Sequence, residues 1–327
     1  MDLSIIIVNW NTRDLLCQCL DSLTQKVEGI EMEILVVDNG STDGSVAAVR
    51  DKFPGVRLIE NPVNMGFAKA NNQAISLSSG EYLLLLNPDT QVKDETVVKM
   101  LSFMDAHAEA GLVGAQLLNA DGSKQNSIAN FPSLATELLN KSLLRRLFPE
   151  KFPGKGRDYP GPVEVDSVIG ACMMVRRKAV EQMGLLDEKF FLFLEETDWC
   201  YRIKKAGWKV YHIPQAEIFH FQGKSAEAEK GKARIEYYRS RYHYFRKNRG
   251  SFQSSVLFIG LIIKLSVELV FATIACVFTL FMVKKWRTKF STYLYLMWWH
   301  LRLCPQEMGL KPINRTLSAM RIALLFS

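Results

Sequence analysis

Up to about position 90 the chain alternates short, unbroken apolar runs with segments whose apolar positions recur every three or four residues. Residues 3–8 form a β-branched run that stops at Asn9-Trp10-Asn11, and residues 13–25 then set Leu15, Leu16, Cys19, Leu20 and Leu23 on one helical face. The alternation repeats: 33–37 reads as a strand, 46–52 as a helix, 56–60 as a strand, 67–78 as a helix and 82–86 as a fully apolar strand. Strands separated by helices of about a dozen residues imply βαβ units and an α/β fold with a mostly parallel sheet, covered on both faces. Ligands of such sheets sit at the carboxyl ends of the strands, where Asp38, residues 64–69 and residues 87–89 fall.

Further along, the pattern loosens between 119 and 162, which reads as an excursion or a mobile loop region. Residues 163–175 predict one or two strands around Gly170, 177–183 a short helix, 199–206 a helix closed by Gly207, and 209–212 a strand. The last third changes character. Residues 232–249 are rich in Arg, Lys and Tyr, 256–283 are almost uniformly apolar, and Lys284-Lys285-Trp286-Arg287 follows. The apolar run of 28 residues exceeds the roughly 20 that cross a bilayer as a helix. Lys264 and Glu268 interrupt it at a spacing that lets them pair on one face. We therefore expect a folded domain over 1–230 and a basic, apolar, membrane-associated helical region over 231–327. Basic clusters at both ends of the run favour both ends staying cytoplasmic, in a re-entrant hairpin or in-plane helices.

Composition narrows the classes. With 327 residues, 48% of them hydrophobic and 23% charged, the chain folds around a sizeable core. The formal net charge of +7 is concentrated beside the apolar run, which favours an anionic lipid surface over nucleic acid. Six cysteines without a CxxC pair fit a reducing compartment, and the amino terminus lacks the basic region and cleavage site of a signal peptide.

The candidate chemistry lies in four places. Phe193-Leu194-Glu195-Glu196-Thr197-Asp198-Trp199 packs three carboxylates into four positions, and mutual repulsion near a pocket raises at least one pKa toward the range of a general base. Asp38-Asn39-Gly40 ends a strand, where Asp38 either accepts from a ligand N–H or closes an Asx turn. Asn64-Met65-Gly66-Phe67-Ala68-Lys69 opens a helix whose N–H groups and lysine could face a diphosphate. Asn87-Pro88-Asp89 follows the buried strand. No GxGxxG follows the first strand, which argues against a dinucleotide-dependent oxidoreductase.

In this order, with Ile169 to Arg176 and Ile218-Phe219-His220-Phe221-Gln222-Gly223-Lys224-Ser225, the motifs resemble those of family 2 glycosyltransferases over about residues 3–225. The pattern is similar to the bacterial rhamnosyltransferase-like members and implies a GT-A nucleotide-sugar fold. The resemblance implies that Asn9, Asp38, Asn39, Asn64, Gly66, Lys69, Asn87 and Asp89 bind a nucleoside-diphosphate sugar. It implies that Asp89 and His220 hold a divalent cation, Mg²⁺ or Mn²⁺, with Asn87 standing where the family often has a first Asp. Glu196 matches the catalytic base, one methylene longer than the usual Asp, and Glu195 is the second candidate; Asp198 caps or orients the helix after it. One base without a covalent nucleophile implies inversion. A dTDP-rhamnose donor, a glycan or polyprenyl-linked acceptor and a place on the cytoplasmic face of the bacterial inner membrane, in cell-surface polysaccharide synthesis, follow from the same resemblance. A galactofuranosyl- or other hexosyltransferase and a non-catalytic membrane scaffold are the alternatives, and self-association stays open.

Overall fold

The computed structural model describes residues 1–27, 29–149, 152, 157–221 and 230–310. Its first half follows the predicted alternation: β1 (Leu3–Asn9), α1 (Arg13–Lys26), β2 (Met32–Asp38), α2 (Ser45–Lys52), β3 (Arg57–Glu60), α3 (Phe67–Leu77) and β4 (Tyr82–Leu86). Every residue of β1 and β4 is buried, because a central strand with helices on both faces has no polar side. The sequence reading has no element between 90 and 118, where the structure has β5 (Thr90–Val92), α4 (Thr96–Ala106) and β6 (Ala110–Leu118). The buried Val97, Met100, Leu101 and Met104 of α4 carried the helical period, whereas Gly111, Gly114 and Gln116 break up the apolar run of β6.

The region read as a loose excursion contains short elements: β7 (Ile128–Ala129), α5 (Leu134–Leu138) and α6 (Lys141–Leu147). Three strands, β8 (Val163–Glu164), β9 (Ser167–Val168) and β10 (Cys172–Arg176), replace the one or two expected around Gly170, and α7 (Arg177–Met183) follows. Then come α8 (Glu195–Lys205), which starts at Glu195 and not at 199, and β11 (Lys209–His220), which runs well past 212. The principal sheet has the order β3-β2-β1-β4-β10-β6-β11-β5, with β8 on β11. β3, β2, β1, β4, β6 and β11 point one way; β10, β5 and β8 run against them. Under α1 and α4, one face buries Leu20, Leu23, Met100 and Met104; under α3 and α8, the other buries Ala70, Ala74, Trp199 and Ile203.

The carboxyl-terminal helices are α9 (Lys230–Asn248), α10 (Ser251–Phe278) and α11 (Lys284–Leu301). They share a third core in which Phe190 of the first part packs with Ile235, Tyr244, Leu257, Leu261, Leu265 and Trp299. α10 presses against α5 at Gly260, where a Cβ would lie 2.7 Å from Leu138, so a larger residue there would push the two helices apart. Lys264 does not pair with Glu268 as the spacing allowed; its Nζ donates to the Glu137 carbonyl at 3.1 Å. The opposite stripe of α10, including Ile259, Ile263, Val270, Phe271 and Phe278, is exposed. The expected boundary near 230 adjoins residues 222–229, and Gln222-Gly223-Lys224-Ser225 of the motif around His220 lies outside the described residues.

Candidate active site

The pairing of β1 with β2 sets Asn9 opposite Asp38 at the carboxyl end of the sheet. Asn9 Nδ2 donates to Asp38 Oδ1 at 2.9 Å, and the Ser41 N–H donates to Asp38 Oδ2 at 2.9 Å, closing an Asx-type turn. Each oxygen keeps a second lone pair for a ligand. Asn39 works as a tie: its Oδ1 accepts from Met65 N–H at 2.9 Å and from Asn61 Nδ2 at 3.2 Å, while its Nδ2 donates to Asn64 Oδ1 at 2.9 Å. Its amide is spent on holding the 61–66 segment in place. Gly66, at φ +89°, leaves no room for a side chain, since a Cβ would lie 2.7 Å from the Phe191 ring and 2.8 Å from the Phe191 oxygen.

Between these ties lies a cavity of about 390 Å³, lined on its polar side by Asn39, Asn64, Asn87, Asp89 and His220. Trp10, Phe67, Phe191 and Phe193 form its aromatic walls. β5 pairs with the end of β11, and the Phe221 N–H donates to the Asp89 carbonyl at 2.8 Å, which fixes the turn carrying Asp89 beside His220. His220 Nε2 lies 3.5 Å from Asp89 Oδ1. Gln125 uses its Nε2 on the carbonyls of Leu118 and His220, so its Oε1 accepts from His220 Nδ1 at 3.0 Å. That contact holds a proton on Nδ1 and turns Nε2 toward Asp89. A carboxylate oxygen and an oriented imidazole nitrogen side by side suit a divalent cation that completes its shell with phosphate oxygens and water. Gln125 was not foreseen, because it sits in the stretch without period and pairs with His220 only in the folded chain.

The carboxylate cluster is shaped by backbone. Phe193 and Leu194 both adopt positive φ, 70° and 65°, and turn the chain sharply into α8. Left-handed backbone at two non-glycine residues costs of order 1 kcal/mol or more apiece. The turn sends Glu195 inward, 5% exposed, with Oε2 lacking a hydrogen-bond partner among the described residues. Burial, then the charge of Glu196, raises the Glu195 pKa well above the ordinary carboxylate range. Glu196 is partly exposed, and burial raises its pKa too, against hydrogen bonds that include one from Thr197 Oγ1. A Cβ at Gly170 would lie 3.4 Å from the Glu196 Cβ and Cγ, and the neighbouring Ala171 carbonyl accepts from Asn87 N–H at 2.9 Å. One thin segment therefore separates Glu196 from the turn carrying Asp89.

The family model of glycosyl transferase family 2 matches residues 4–184. The chain belongs to this family. This family 2 glycosyltransferase is 28% identical over 255 residues to N-acetylglucosaminyl-diphospho-decaprenol L-rhamnosyltransferase of Mycobacterium tuberculosis, covering 73% of the chain and 82% of that relative. It is 27% identical over 210 residues to dTDP-rhamnosyl transferase RfbF of Shigella flexneri, covering 62% and 64%. The mannosyltransferase of Pyrobaculum calidifontis, solved with GDP-mannose and Mn²⁺, superposes with a TM-score of 0.54 at 17% identity over 90% of this chain and 84% of its own. S. aureus TarS superposes with a TM-score of 0.51 at 18% identity over 75% and 38%. These two likenesses establish the GT-A fold, and the relatives make the glycosyltransferase a rhamnosyltransferase-like member.

Of the residues singled out from the sequence, the fold gathers Asn39, Asn64, Gly66, Asn87, Asp89 and His220 on one cavity, with Asn9 and Asp38 directly behind Asn39. Lys69, in the first turn of α3, is not on that wall. The first free N–H of α3, from Phe67, donates to the Phe191 carbonyl at 2.8 Å and so is not available to a phosphate. Neither Glu195 nor Glu196 lines the cavity, but Phe193 does. Asp198 is not a helix cap. It is fully buried and accepts from Arg202 Nε at 2.9 Å, Lys247 Nζ at 2.8 Å and Asn248 Nδ2 at 2.9 Å, joining α8 to α9.

Proposed function

We propose that this glycosyltransferase moves rhamnose from a nucleoside-diphosphate donor, dTDP-rhamnose, to a polyprenyl-diphosphate-linked glycan on the cytoplasmic face of a bacterial inner membrane, with inversion at the anomeric carbon. The observation that carries the donor half is the Asp89 and His220 pair, 3.5 Å apart on the wall of the cavity at the strand ends. Rhamnosyl transfer and the lipid-linked acceptor are supported by the names of the relatives from Mycobacterium and Shigella.

In this reading Asp38 receives the ring N–H of the base, and Asn39 with Asn64 fixes the loop beneath the donor. Asp89 and His220 would hold Mg²⁺ or Mn²⁺, which supplies positive charge to the leaving diphosphate. Glu196 takes the proton of the acceptor hydroxyl as its oxygen attacks the anomeric carbon and the bond to the nucleoside diphosphate breaks. Glu195, buried behind it, keeps the pair short of two full charges and so favours a proton held nearby. The division into 1–230 and 231–327 assigns donor chemistry to the first part and membrane contact to the second. The exposed apolar stripe of α10, with the basic residues before it and at the start of α11, supports an in-plane helix at the bilayer surface.

The test is donor-dependent thermal stabilisation across a panel of nucleotide sugars, with and without chelator, because a ligand of the folded state alone raises apparent stability. dTDP-rhamnose is expected to stabilise most, and only with Mg²⁺ or Mn²⁺ present. A larger shift with a UDP-galactofuranose donor selects the other hexosyltransferase reading, and stabilisation by no donor selects the scaffold.

A further inference from the structure

We propose that a second cavity, between α9, α10 and α11, binds the diphosphate of the lipid-linked acceptor. The inference rests on the lipid-linked acceptor proposed above and adds where that acceptor is held. The cavity encloses about 690 Å³ and is lined by five cations, Lys141, Arg234, Arg241, Lys264 and Lys289, drawn from four different helices. Two carboxylates, Glu137 and Glu268, offset them only in part, and Glu137 is already paired with Arg241 at 2.5 Å. Among the described residues no carboxylate lies within ion-pair distance of Arg234, Lys264 or Lys289.

Arg241 adds an independent sign. It is 6% exposed, lines this cavity, and its Nε has no hydrogen-bond partner among the described residues. Its Nη2 is held by Glu137, so Arg241 gives the cavity charge more than free donors, and a phosphate is the anion that a cluster of Arg and Lys fits. The Tyr237 hydroxyl stands on the same wall, whereas those of Thr288 and Thr292 are spent on the carbonyls of Lys284 and Thr288.

The position suits an acceptor. Phe193 lines both this cavity and the donor cavity, so a sugar attached to a diphosphate held here reaches past one ring to the donor. On the far side of α10 from the cavity, Ile259, Ile263 and Val267 are exposed and offer an apolar surface for the lipid tail once it has passed the helix. The diphosphate is held without being cleaved, and its charge is what the five cations recognise.

An anionic phospholipid headgroup carries the same phosphate chemistry, so the test separates the two sources. The full chain in detergent, with its donor cavity filled by saturating dTDP, is titrated with farnesyl diphosphate, and separately mixed with phosphatidylglycerol vesicles. Arg234→Gln and Lys264→Gln are each expected to weaken farnesyl diphosphate binding about tenfold, the loss of one charge-assisted contact, while dTDP binding is kept. Retained dTDP binding also shows that the variants fold, and Lys289→Gln replaces either one that does not. Equal farnesyl diphosphate affinity in wild type and both variants overturns the proposal. So does loss of vesicle binding alone, which makes the cavity a contact for bulk lipid. If the wild type binds farnesyl diphosphate through these cations yet transfers no sugar to a lipid-linked acceptor, the proposed function falls and the anion site stands.

Discussion

Glu196 and Glu195 are adjacent in sequence but opposite in setting: Glu195 is 5% exposed with an unpartnered oxygen, whereas Glu196 is partly open across Gly170. A base must reach its proton, so Glu196→Gln is expected to lower kcat by about 10²–10⁴ while leaving dTDP affinity unchanged, as read by initial rates and nucleotide titration. Glu195→Gln replaces a carboxyl that burial and the Glu196 charge already hold protonated, and should leave the acid limb set by Glu196 in place. Burial holds Glu196 above the ordinary carboxylate value of 4.5. Because the base works deprotonated, kcat/KM should fall as pH drops through that raised value, with its acid limb above pH 4.5. A wild-type acid limb at or below that value removes Glu196 from the role.

At the scale of elements, the join between α8 and α9 rests on Asp198, which is fully buried and holds Arg202, Lys247 and Asn248. Lys247 also reaches Asp187 Oδ2 at 2.8 Å, so one lysine ties the turn before the carboxylate cluster to the helix after it. Without Asp198, Lys247 keeps Asp187 and Arg202 keeps the carbonyls of Met183 and Leu185, but the join between the two helices loses its buried acceptor. Asp198→Ala is therefore expected to destabilise the chain by about 1–3 kcal/mol, the loss of hydrogen bonds to a charged acceptor, measured as loss of apparent stability in denaturant. It should also raise the KM for acceptor more than that for donor, because α9 carries Arg234 and Arg241 while the donor cavity lies across the sheet ends. Equal effects on both KM values would show that the clamp does not serve the acceptor side.

For the whole molecule, the carboxyl-terminal helices are bound to the catalytic part by a shared core and not by a linker alone. A chain ending at Arg249 loses Leu257, Leu261, Leu265, Leu296 and Trp299 from the cluster that also holds Phe190 and Tyr244. It is expected to lose apparent thermal stability and transfer to lipid-linked acceptor together; full stability and equal transfer would sink the role given to the tail. α10 is one continuous helix of 28 residues, about 42 Å long, with an exposed apolar stripe, Lys247 and Arg249 just before it and Lys284 and Lys285 at the start of α11 after it. An unbroken helix leaves the in-plane arrangement as the one that keeps both ends on the same side. Single cysteines at positions 250 and 288, placed in a chain without accessible native thiols, should both be labelled only from the cytoplasmic side of sealed vesicles. Labelling of 288 from the outside would make α10 a span.

The sequence by itself determined the α/β alternation through β4, because a buried parallel strand has to be apolar on both faces and a covering helix has to show its period. It also put Asp38, Asn64 and Asp89 at strand ends that come together at one edge of the sheet. What only the tertiary structure decided are the pairings across long separations: Gln125 orienting His220, Asp198 binding α9, Gly260 against Leu138, and Lys264 turning from Glu268 to the Glu137 carbonyl. Local spacing says which side chains share a face, but not which distant element comes to cover that face. The same reason hides the cationic cavity. Its five basic residues stand on four helices and read in sequence as scattered surface charge; only packing turns them toward one space, beside Phe193, which also lines the cavity at the strand ends.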